Sequence, residues 1–255
     1  DIPRPMDLGI EGRTALVTGA RRGLGLGIAQ VFGREGARVA LTSRSQENLE
    51  AAAGQVDGET AIIVADSGDL ERMSALPGEV EDALGPVDIL VTNTGGPPAG
   101  GGLDHSPEQW QAAYETLVLS PRALIEAVLP GMRERGWGRI VNTASIGIRE
   151  PIGGLALSNA HRAATMGLFK TLAAEVAADG VTLNTVATGR IATERIAELW
   201  GSMENAEAGA QREVPVGRLG TIEEYGDFVA FLCSDRAAYL TGATIQFDGG
   251  LSRSH

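Results

Sequence analysis

The sequence predicts a single-domain α/β fold of the Rossmann type, a doubly wound parallel sheet of about seven strands with helices on both faces. Short apolar runs alternate along the chain with stretches of helical periodicity, the pattern of right-handed β–α–β crossovers. Most of these runs are continuously apolar, as in strands that helices cover on both faces. The length of 255 residues suits one α/β unit, and no linker or internal repeat divides it.

The alternation assigns each element a place in the chain. Strands are predicted at residues 14–18, 38–43, 60–66, 87–93, 139–145, 181–188 and 244–248. Helices are predicted at residues 24–35, 45–55, 69–84, 107–134, 156–178 and 221–233. Ser106, Pro107 and Gln109 have the spacing of a capping box and open the fourth helix.

Three segments fall outside this rhythm within the domain, which takes in the whole of residues 1–255. Residues 1–9 are expected to form a flexible leader. Residues 94–105 predict a loop rich in glycine and proline. Residues 189–216 predict a helical insertion, which is a candidate substrate lid.

Composition excludes several classes of partner. The formal net charge of -12 argues against nucleic acid, because phosphate binding needs a basic surface. No apolar run approaches the length of a membrane span, and the N-terminal residues lack the apolar centre of a signal peptide. Cys233 is the only cysteine, so we expect a reducing, cytoplasmic compartment. No His, Cys, Asp or Glu cluster has metal-ligand spacing.

A glycine-rich turn follows the first predicted strand. Gly19, Gly23 and Gly25 have the spacing G-x3-G-x-G and open the next helix. Without side chains they let the backbone approach a pyrophosphate, whose charge the helix N-terminus favours. The turn therefore predicts a dinucleotide site at the carboxyl edge of the sheet.

The end of the second strand predicts the form of the dinucleotide. Enzymes that prefer NAD usually place an acid there for the ribose 2′-hydroxyl, whereas this chain has Ser43 and Arg44. With Arg22 in the glycine turn, Arg44 suits a 2′-phosphate and predicts NADP(H). The alternative is that Arg44 is a solvated surface charge.

Four segments then give the chain a family resemblance. They are TGARRGLG (18–25), TNTGG (92–96), NTVATG (184–189) and the C-terminal stretch 218–250. Over essentially all of residues 10–250 the chain resembles the short-chain dehydrogenase/reductase family, although Thr188 stands in place of a proline. The resemblance implies a small-molecule substrate and a homotetramer or, less often, a homodimer.

The resemblance also implies the residues that hold the cofactor. Asp66 matches the acid that binds the adenine amino group, and Ile191 and Thr193 fall where relatives contact the nicotinamide carboxamide. The full expected set is Gly19, Arg21, Arg22, Gly23, Leu24, Gly25, Ser43, Arg44, Asp66, Asn93, Gly95, Arg162, Gly189, Ile191 and Thr193.

The catalytic pattern of the family is only partly present. It runs Ser, then Tyr 13 residues later, then Lys four residues after that, which here gives Ser145, Ser158 and Arg162. The helical Asn of the pattern aligns with Thr116, so three of the four catalytic positions depart from it.

These substitutions change the chemistry. The family uses a phenol whose pKa a neighbouring cation lowers, and a serine hydroxyl such as that of Ser158 is far less acidic. Arg162 stays charged, and it can grip the nicotinamide ribose or bind a substrate carboxylate or phosphate. Thr116 replaces part of the Asn function at most. Ser145 either binds a carbonyl oxygen or satisfies local backbone.

Other residues are weighed as proton donors. His105 follows the glycine-rich loop at the same sheet edge, and the alternative is an exposed helix-start histidine. A packing role is favoured for His161 and for Tyr114.

Three functions follow as hypotheses. The first is an atypical NADP(H)-dependent oxidoreductase acting on a carbonyl, an alcohol or an activated double bond. The second is an NADP(H)-binding protein without redox turnover, either a regulator or an inactive partner subunit. The third is a non-redox enzyme like the halohydrin dehalogenases, which put Arg at the Lys position. It is the least favoured, because those enzymes keep the Tyr and alter the glycine loop.

Overall fold

A computed structural model describes residues 6–254. Its centre is one parallel sheet of seven strands in the order β3-β2-β1-β4-β5-β6-β7. The strands are β1 Thr14–Thr18, β2 Arg38–Ser43, β3 Thr60–Val64, β4 Ile89–Thr92, β5 Gly138–Thr143, β6 Val181–Thr188 and β7 Thr244–Phe247. All seven predicted strands are confirmed. Because β3, β4 and β5 end one or two residues early, Asp66, Asn93 and Ser145 lie in the turns that follow them.

Helices cover both faces of the sheet, which confirms the doubly wound fold. They are α1 Gly23–Arg34, α2 Gln46–Ala53, α3 Leu70–Leu84, α4 Pro107–Tyr114, α5 Ser120–Glu134, α6 Ala156–Val176, α7 Glu194–Trp200, α8 Met203–Glu213 and α9 Ile222–Leu232. One core packs α1, α2 and α9 against the sheet, and the other packs α3, α5 and α6 against the opposite face. Cys233 is fully buried in the first core.

The long helix predicted over residues 107–134 is interrupted. It begins at the predicted capping box of Ser106 and Gln109, but a π-helical segment, Glu115–Leu119, separates α4 from α5. Pro121 has no N–H to donate to the carbonyl of Leu117 four residues earlier. The Thr165 hydroxyl of α6 donates to that carbonyl instead, at 2.5 Å. The interruption lies where the chain passes the edge of the cleft described below.

The three irregular segments differ in outcome. Residues 94–105 form no helix, as predicted, and the insertion at 189–216 contains α7 and α8. The expected flexible leader at 1–9 does not extend through Asp7 and Leu8, whose carbonyls accept hydrogen bonds from Arg236 and Asp235. Residues 1–5 of that expectation lie outside the described part of the chain. Among residues 6–254, no helix combines the length and apolarity needed to cross a bilayer.

Candidate cofactor and active site

A cleft of about 640 Å³ opens at the carboxyl edge of the sheet. Residues from the turns after β1, β2, β3, β4, β5 and β6 line it, together with the π segment, α6 and α7. Every predicted site residue lines the cleft except Gly25. The fold thus brings together residues that are up to 174 positions apart, from Gly19 to Thr193.

The glycine turn depends on close backbone contacts. Gly19 has φ +61°, and a Cβ there would lie 2.6 Å from the carbonyl oxygen of Asn93. Gly25 packs beneath the turn instead of lining the cleft, because its Cβ would lie 2.4 Å from the Gly19 carbonyl oxygen. Gly23 begins α1 with φ +58°. The turn therefore excludes side chains on both of its sides.

Asn93 fixes the glycine turn to β4. Its side-chain amide donates to the carbonyls of Thr18 at 3.1 Å and Gly19 at 3.3 Å. The Thr18 hydroxyl donates to the Asn93 carbonyl and accepts from the Asn93 N–H, both at 2.9 Å. Asn93 also lines the cleft, so its predicted place is observed, and its amide hydrogens hold the turn in shape.

Three arginines lie at the end of the cleft formed by the turns after β1 and β2, which we call the nucleotide end. Burial first, and then the positive charges of Arg22 and Arg44, lower the pKa of Arg21. Within residues 6–254, the side chains of Arg21 and Arg44 form no hydrogen bond or ion pair. Arg22, by contrast, is paired with Glu194 and lies 3.5 Å from Glu198, both on α7. Two guanidinium groups are therefore available here to an anion.

The remaining predicted cofactor residues flank this end and the middle of the cleft. Asp66 accepts from the Gly68 N–H at 3.0 Å, which orients its carboxylate. Ser43, Leu24 and Gly95 also line the cleft.

The far wall of the cleft is built on the turn after β6. A Cβ at Gly189 would lie 2.5 Å from Asp248 Cα, so this turn has no room for a side chain. Ile191 forms an isolated bridge with Gly220, and the Thr193 hydroxyl accepts from the Ile196 N–H and caps α7.

The other end of the cleft, which we call the chemical end, holds three of the four residues at the expected catalytic positions, Ser145, Ser158 and Arg162. The hydroxyl of the fourth, Thr116, lies instead near Gly68, 3.9 Å from the Cβ position there. Ser145 accepts from the Gly147 N–H at 3.1 Å, so it satisfies local backbone and keeps its own O–H for a ligand. Ser158 is half-buried on α6 and has no hydrogen-bond partner among residues 6–254. Thr116 lines the cleft from the π segment.

Arg162 is the most deeply placed charge of the cleft. Its side chain comes from α6, and the residue is 8% exposed. The guanidinium donates to the carbonyls of Thr143 at 2.7 Å and Thr94 at 3.2 Å. Burial lowers the pKa of Arg162 to about 10, an effect that Tyr225 opposes and Arg195 increases. Arg162 is therefore positively charged at neutral pH.

The histidines considered as donors lie outside the cleft lining. His105 has its Nε2 buried without a partner, next to Gly100, where a Cβ would lie 2.7 Å away. It is neither exposed at the start of the helix nor aimed at the cleft. His161 packs against Trp110, with Nδ1 2.8 Å from the Leu157 carbonyl, as its predicted packing role requires. Tyr114 is 40% exposed, so its predicted place in the core is wrong, although its ring packs against that of His161 at 6.2 Å between centroids.

Sequence reasoning missed two features of the chemical end. Arg195 reaches across from α7 and donates to the Pro97 carbonyl at 3.3 Å. Its signal was its place two residues after Thr193, at the start of the insertion. Tyr225 is fully buried, and its hydroxyl lies 3.0 Å from Thr188 Oγ1, the position that departs from the proline pattern. No local sequence pattern links Tyr225 to Thr188, because 37 residues separate them.

Within residues 6–254, no group of three or more His, Cys, Asp or Glu is placed to hold a metal ion. The cleft instead offers arginines, hydroxyl groups and backbone. Its chemistry is the binding of anions and the stabilisation of developing negative charge.

Comparison with known proteins adds independent findings. A family model described as "Enoyl-(Acyl carrier protein) reductase" matches residues 19–252. The chain is 35% identical to a 3-oxoacyl-[acyl-carrier-protein] reductase of Escherichia coli, over 96% of this chain and 99% of that protein.

Two solved structures are similar over nearly the whole chain. The L-sorbose reductase of Gluconobacter frateurii, complexed with NADPH and L-sorbose, has a TM-score of 0.91 at 33% identity and covers 98% of this chain and all of its own. A protein described as a short chain dehydrogenase/reductase family protein has a TM-score of 0.86 at 35% identity, with 96% and 98% covered.

Proposed function

The chain belongs to the short-chain dehydrogenase/reductase family, and from this premise we propose that it is an atypical NADP(H)-dependent oxidoreductase. Its substrate is a small molecule with a carbonyl or alcohol group, or an activated double bond. One observation carries the proposal. A single cleft joins a glycine turn that excludes side chains, two unpaired arginines and, at its other end, Ser145, Ser158 and Arg162.

The cleft fits the cofactor at the pyrophosphate position. The turn at Gly19, Gly23 and Gly25 leaves space where side chains would otherwise stand, and α1 begins there with its unpaired N–H groups. Asp66 would accept from the adenine amino group, and Ile191 and Thr193 would contact the nicotinamide carboxamide. All three residues line the cleft, which supports these roles.

The arginines favour NADP(H) over NAD(H). Arg21 and Arg44 repel each other, and neither side chain forms an ion pair among residues 6–254, although the more distant charge of Glu198 opposes the repulsion at Arg21 in part. A 2′-phosphate between them would relieve this repulsion through charge-assisted hydrogen bonds. Arg22, which was expected to share this role, is held by Glu194 and Glu198 and contributes less.

At the chemical end, the residues stabilise negative charge and leave the proton to solvent. When bound, NADPH supplies a hydride to the carbonyl carbon, and the carbonyl oxygen takes up a proton. Ser145 and Ser158 donate hydrogen bonds to that oxygen, and the charge of Arg162 favours the developing oxyanion. His105 has no part, because it does not line the cleft.

The second candidate is binding of NADP(H) without redox turnover. The way Arg162 is held favours it, because two of its donors are already used by the carbonyls of Thr143 and Thr94. Such a protein would act as a regulator or as an inactive partner subunit. Redox turnover is preferred because Ser145 and Ser158 both retain a free O–H at the same end of the cleft.

Stopped-flow mixing tests the proposal. NADPH-loaded protein is mixed with a panel of ketones, activated carbonyls and conjugated enones while NADPH absorbance is followed. We expect oxidation above the solvent rate with an activated substrate, and a loss of about 100-fold in Ser145→Ala, because one oxyanion donor is removed. Ser74→Ala, which changes an exposed serine of α3 outside the cleft, is the matched control. Tight binding of NADPH without oxidation by any substrate would favour the second candidate.

A closed oligomer completes the proposal. β7 is an edge strand of the sheet, so its outer side pairs with no other strand among residues 6–254. A homotetramer or homodimer that packs through this strand and the long helices would cover it. Sedimentation velocity distinguishes both states from a monomer. A cytoplasmic location goes with the single, buried Cys233.

A further inference from the structure

We infer that the substrate carries a carboxylate group, and that Arg195 and Arg162 together bind it. The inference deepens the proposed function and rests on it. It concerns the chemical end of the cleft, on the side of the Gly/Pro loop at residues 94–98.

The positive charge of Arg162 is not paired with a carboxylate among residues 6–254. Its guanidinium is buried, and the partners it has among residues 6–254 are two backbone carbonyls, those of Thr143 and Thr94. Carbonyl dipoles satisfy hydrogen bonds but do not neutralise a full charge. A buried charge without an opposite charge is costly, so this position favours a ligand that brings a negative one.

Arg195 adds a second positive charge near that of Arg162. The guanidinium of Arg195 lies against Gly96, where an added Cβ would be 3.1 Å from both its Nε and Nη2. Its charge is close enough to add to the lowering of the Arg162 pKa, after the larger effect of burial. Both side chains line the same cleft. An anion between them would relieve their repulsion.

Glu198 limits how much negative charge a ligand needs to bring. Glu198 lies 3.6 Å from Arg195 and is shared with Arg22 at 3.5 Å, so it neutralises Arg195 in part. Less than two positive charges thus remain for a ligand. One negative charge balances them better than two, which favours a carboxylate over a phosphate. Planar guanidinium groups also match the geometry of a carboxylate.

Other residues of the cleft would contact the rest of the substrate. Ser145 and Ser158 line the same end and would take the carbonyl oxygen. Apolar side chains of Pro97, Leu155 and Ile196 also line the cleft. The site therefore suits a short oxo acid with a small apolar body.

Calorimetry with two unreactive probes tests the inference. Oxamate, a carboxylate, and oxamide, its neutral amide, are titrated into NADP⁺-saturated protein. We expect oxamate to bind at least 10-fold more tightly than oxamide. Arg195→Met should remove this preference, and Arg195→Lys should restore part of it. Arg212→Met makes the same change at an exposed position of α8 outside the cleft and should keep the full preference.

Several results would overturn the inference. They are equal binding of both probes, an oxamate affinity that Arg195→Met leaves unchanged, and tighter binding of inorganic phosphate than of oxamate at the same site. A loss in Arg195→Met of NADP⁺ affinity alone would instead assign Arg195 to the cofactor, which also overturns it. These failures leave the proposed function standing, whereas that function fails if the wild-type protein takes up no NADP(H).

Discussion

The two ends of the cleft are built in opposite ways. At the nucleotide end, backbone approaches backbone through Gly19 and Gly25, and the arginines that remain free are partly exposed. At the chemical end, a buried arginine is tied to the carbonyls of Thr143 and Thr94, and serine hydroxyls stand beside it.

The difference explains how residues at the expected catalytic positions can depart from the family pattern while the fold does not. The first end depends on space that any side chain would fill, so its sequence tolerates little change. The second end depends on which functional groups project into an open cleft. Ser158 and Arg162 change those groups without altering the backbone of α6 that carries them.

The largest effect should come from filling the space at the nucleotide end. In Gly25→Ala the new methyl would lie 2.4 Å from the Gly19 carbonyl oxygen and 2.8 Å from the amide nitrogen of Asn93. We expect a loss of stability of about 1–3 kcal/mol from overpacking. NADPH affinity should fall at least 100-fold, because the glycine turn must move. Thermal unfolding and fluorescence titration measure the two effects.

Gly78→Ala is the control for that change. Gly78 is exposed on α3, and nothing lies within 4 Å of the Cβ position there. The variant should bind NADPH normally and gain about 0.5–1 kcal/mol of stability. Wild-type affinity in Gly25→Ala would show that the turn is less rigid than its contacts imply.

The next largest effect should come from restoring the family groups at the chemical end. We expect that Thr116→Asn, Ser158→Tyr and Arg162→Lys together raise the reduction of a simple ketone at least 10-fold. A phenol near a cation adds general acid catalysis, which contributes about 100-fold or more when well placed. Steady-state kcat/KM for the ketone is the measurement.

The matched variant for this test carries Ser158→Phe in place of Ser158→Tyr, with the other two changes kept. It adds the same ring without the hydroxyl. If both triple variants bind NADPH and reduce the ketone equally, proton donation from this position does not limit the reaction.

Local patterns in the sequence predict part of the fold and of the cleft. Periodicity and the spacing of Gly19, Gly23 and Gly25 predict the sheet and the turn, because these are local patterns with few physical solutions. That Ser145, Ser158 and Arg162 belong to one site is instead implied by the family resemblance, since these residues stand at the spacing of its catalytic pattern.

Contacts between distant elements could not be predicted in this way. The π segment around Thr116 arises because Pro121 frees a carbonyl that a hydroxyl of α6 then binds. The pairing of Arg22 with Glu194 depends on where α7 folds over the cleft. Such contacts are set by tertiary packing, for which the local sequence carries no signal.

A smaller and more selective effect should follow from Arg44→Ala. Arg44 is exposed and unpaired among residues 6–254, so its loss removes charge from the nucleotide end without breaking internal contacts. We expect NADPH affinity to fall about 10-fold and NADH affinity to stay within about 2-fold, since one charge-assisted hydrogen bond contributes roughly 1.5 kcal/mol or more. Arg122→Ala on α5, outside the cleft, serves as control. Equal losses for both nucleotides would contradict the 2′-phosphate assignment.

The smallest effect should come from freeing Arg22. It is paired with Glu194 and Glu198, which belong to the segment expected to act as a lid, so these pairs join the glycine turn to α7. All three side chains are partly exposed, and exposed ion pairs contribute little stability. In the double variant Glu194→Gln/Glu198→Gln, we expect NADPH to bind 2- to 5-fold more tightly, because Arg22 then turns to the phosphates.

A matched pair of substitutions separates this explanation from a general change in charge. The gain in affinity should shrink as ionic strength rises, since the interaction of Arg22 with a phosphate at an open cleft is screened. Glu204→Gln/Glu207→Gln makes the same change on α8, away from the cleft, and should leave affinity unaltered. If NADPH instead binds more weakly to the Glu194→Gln/Glu198→Gln protein, the two glutamates hold the turn in its binding shape. The nucleotide end would then depend on side chains as much as the chemical end does.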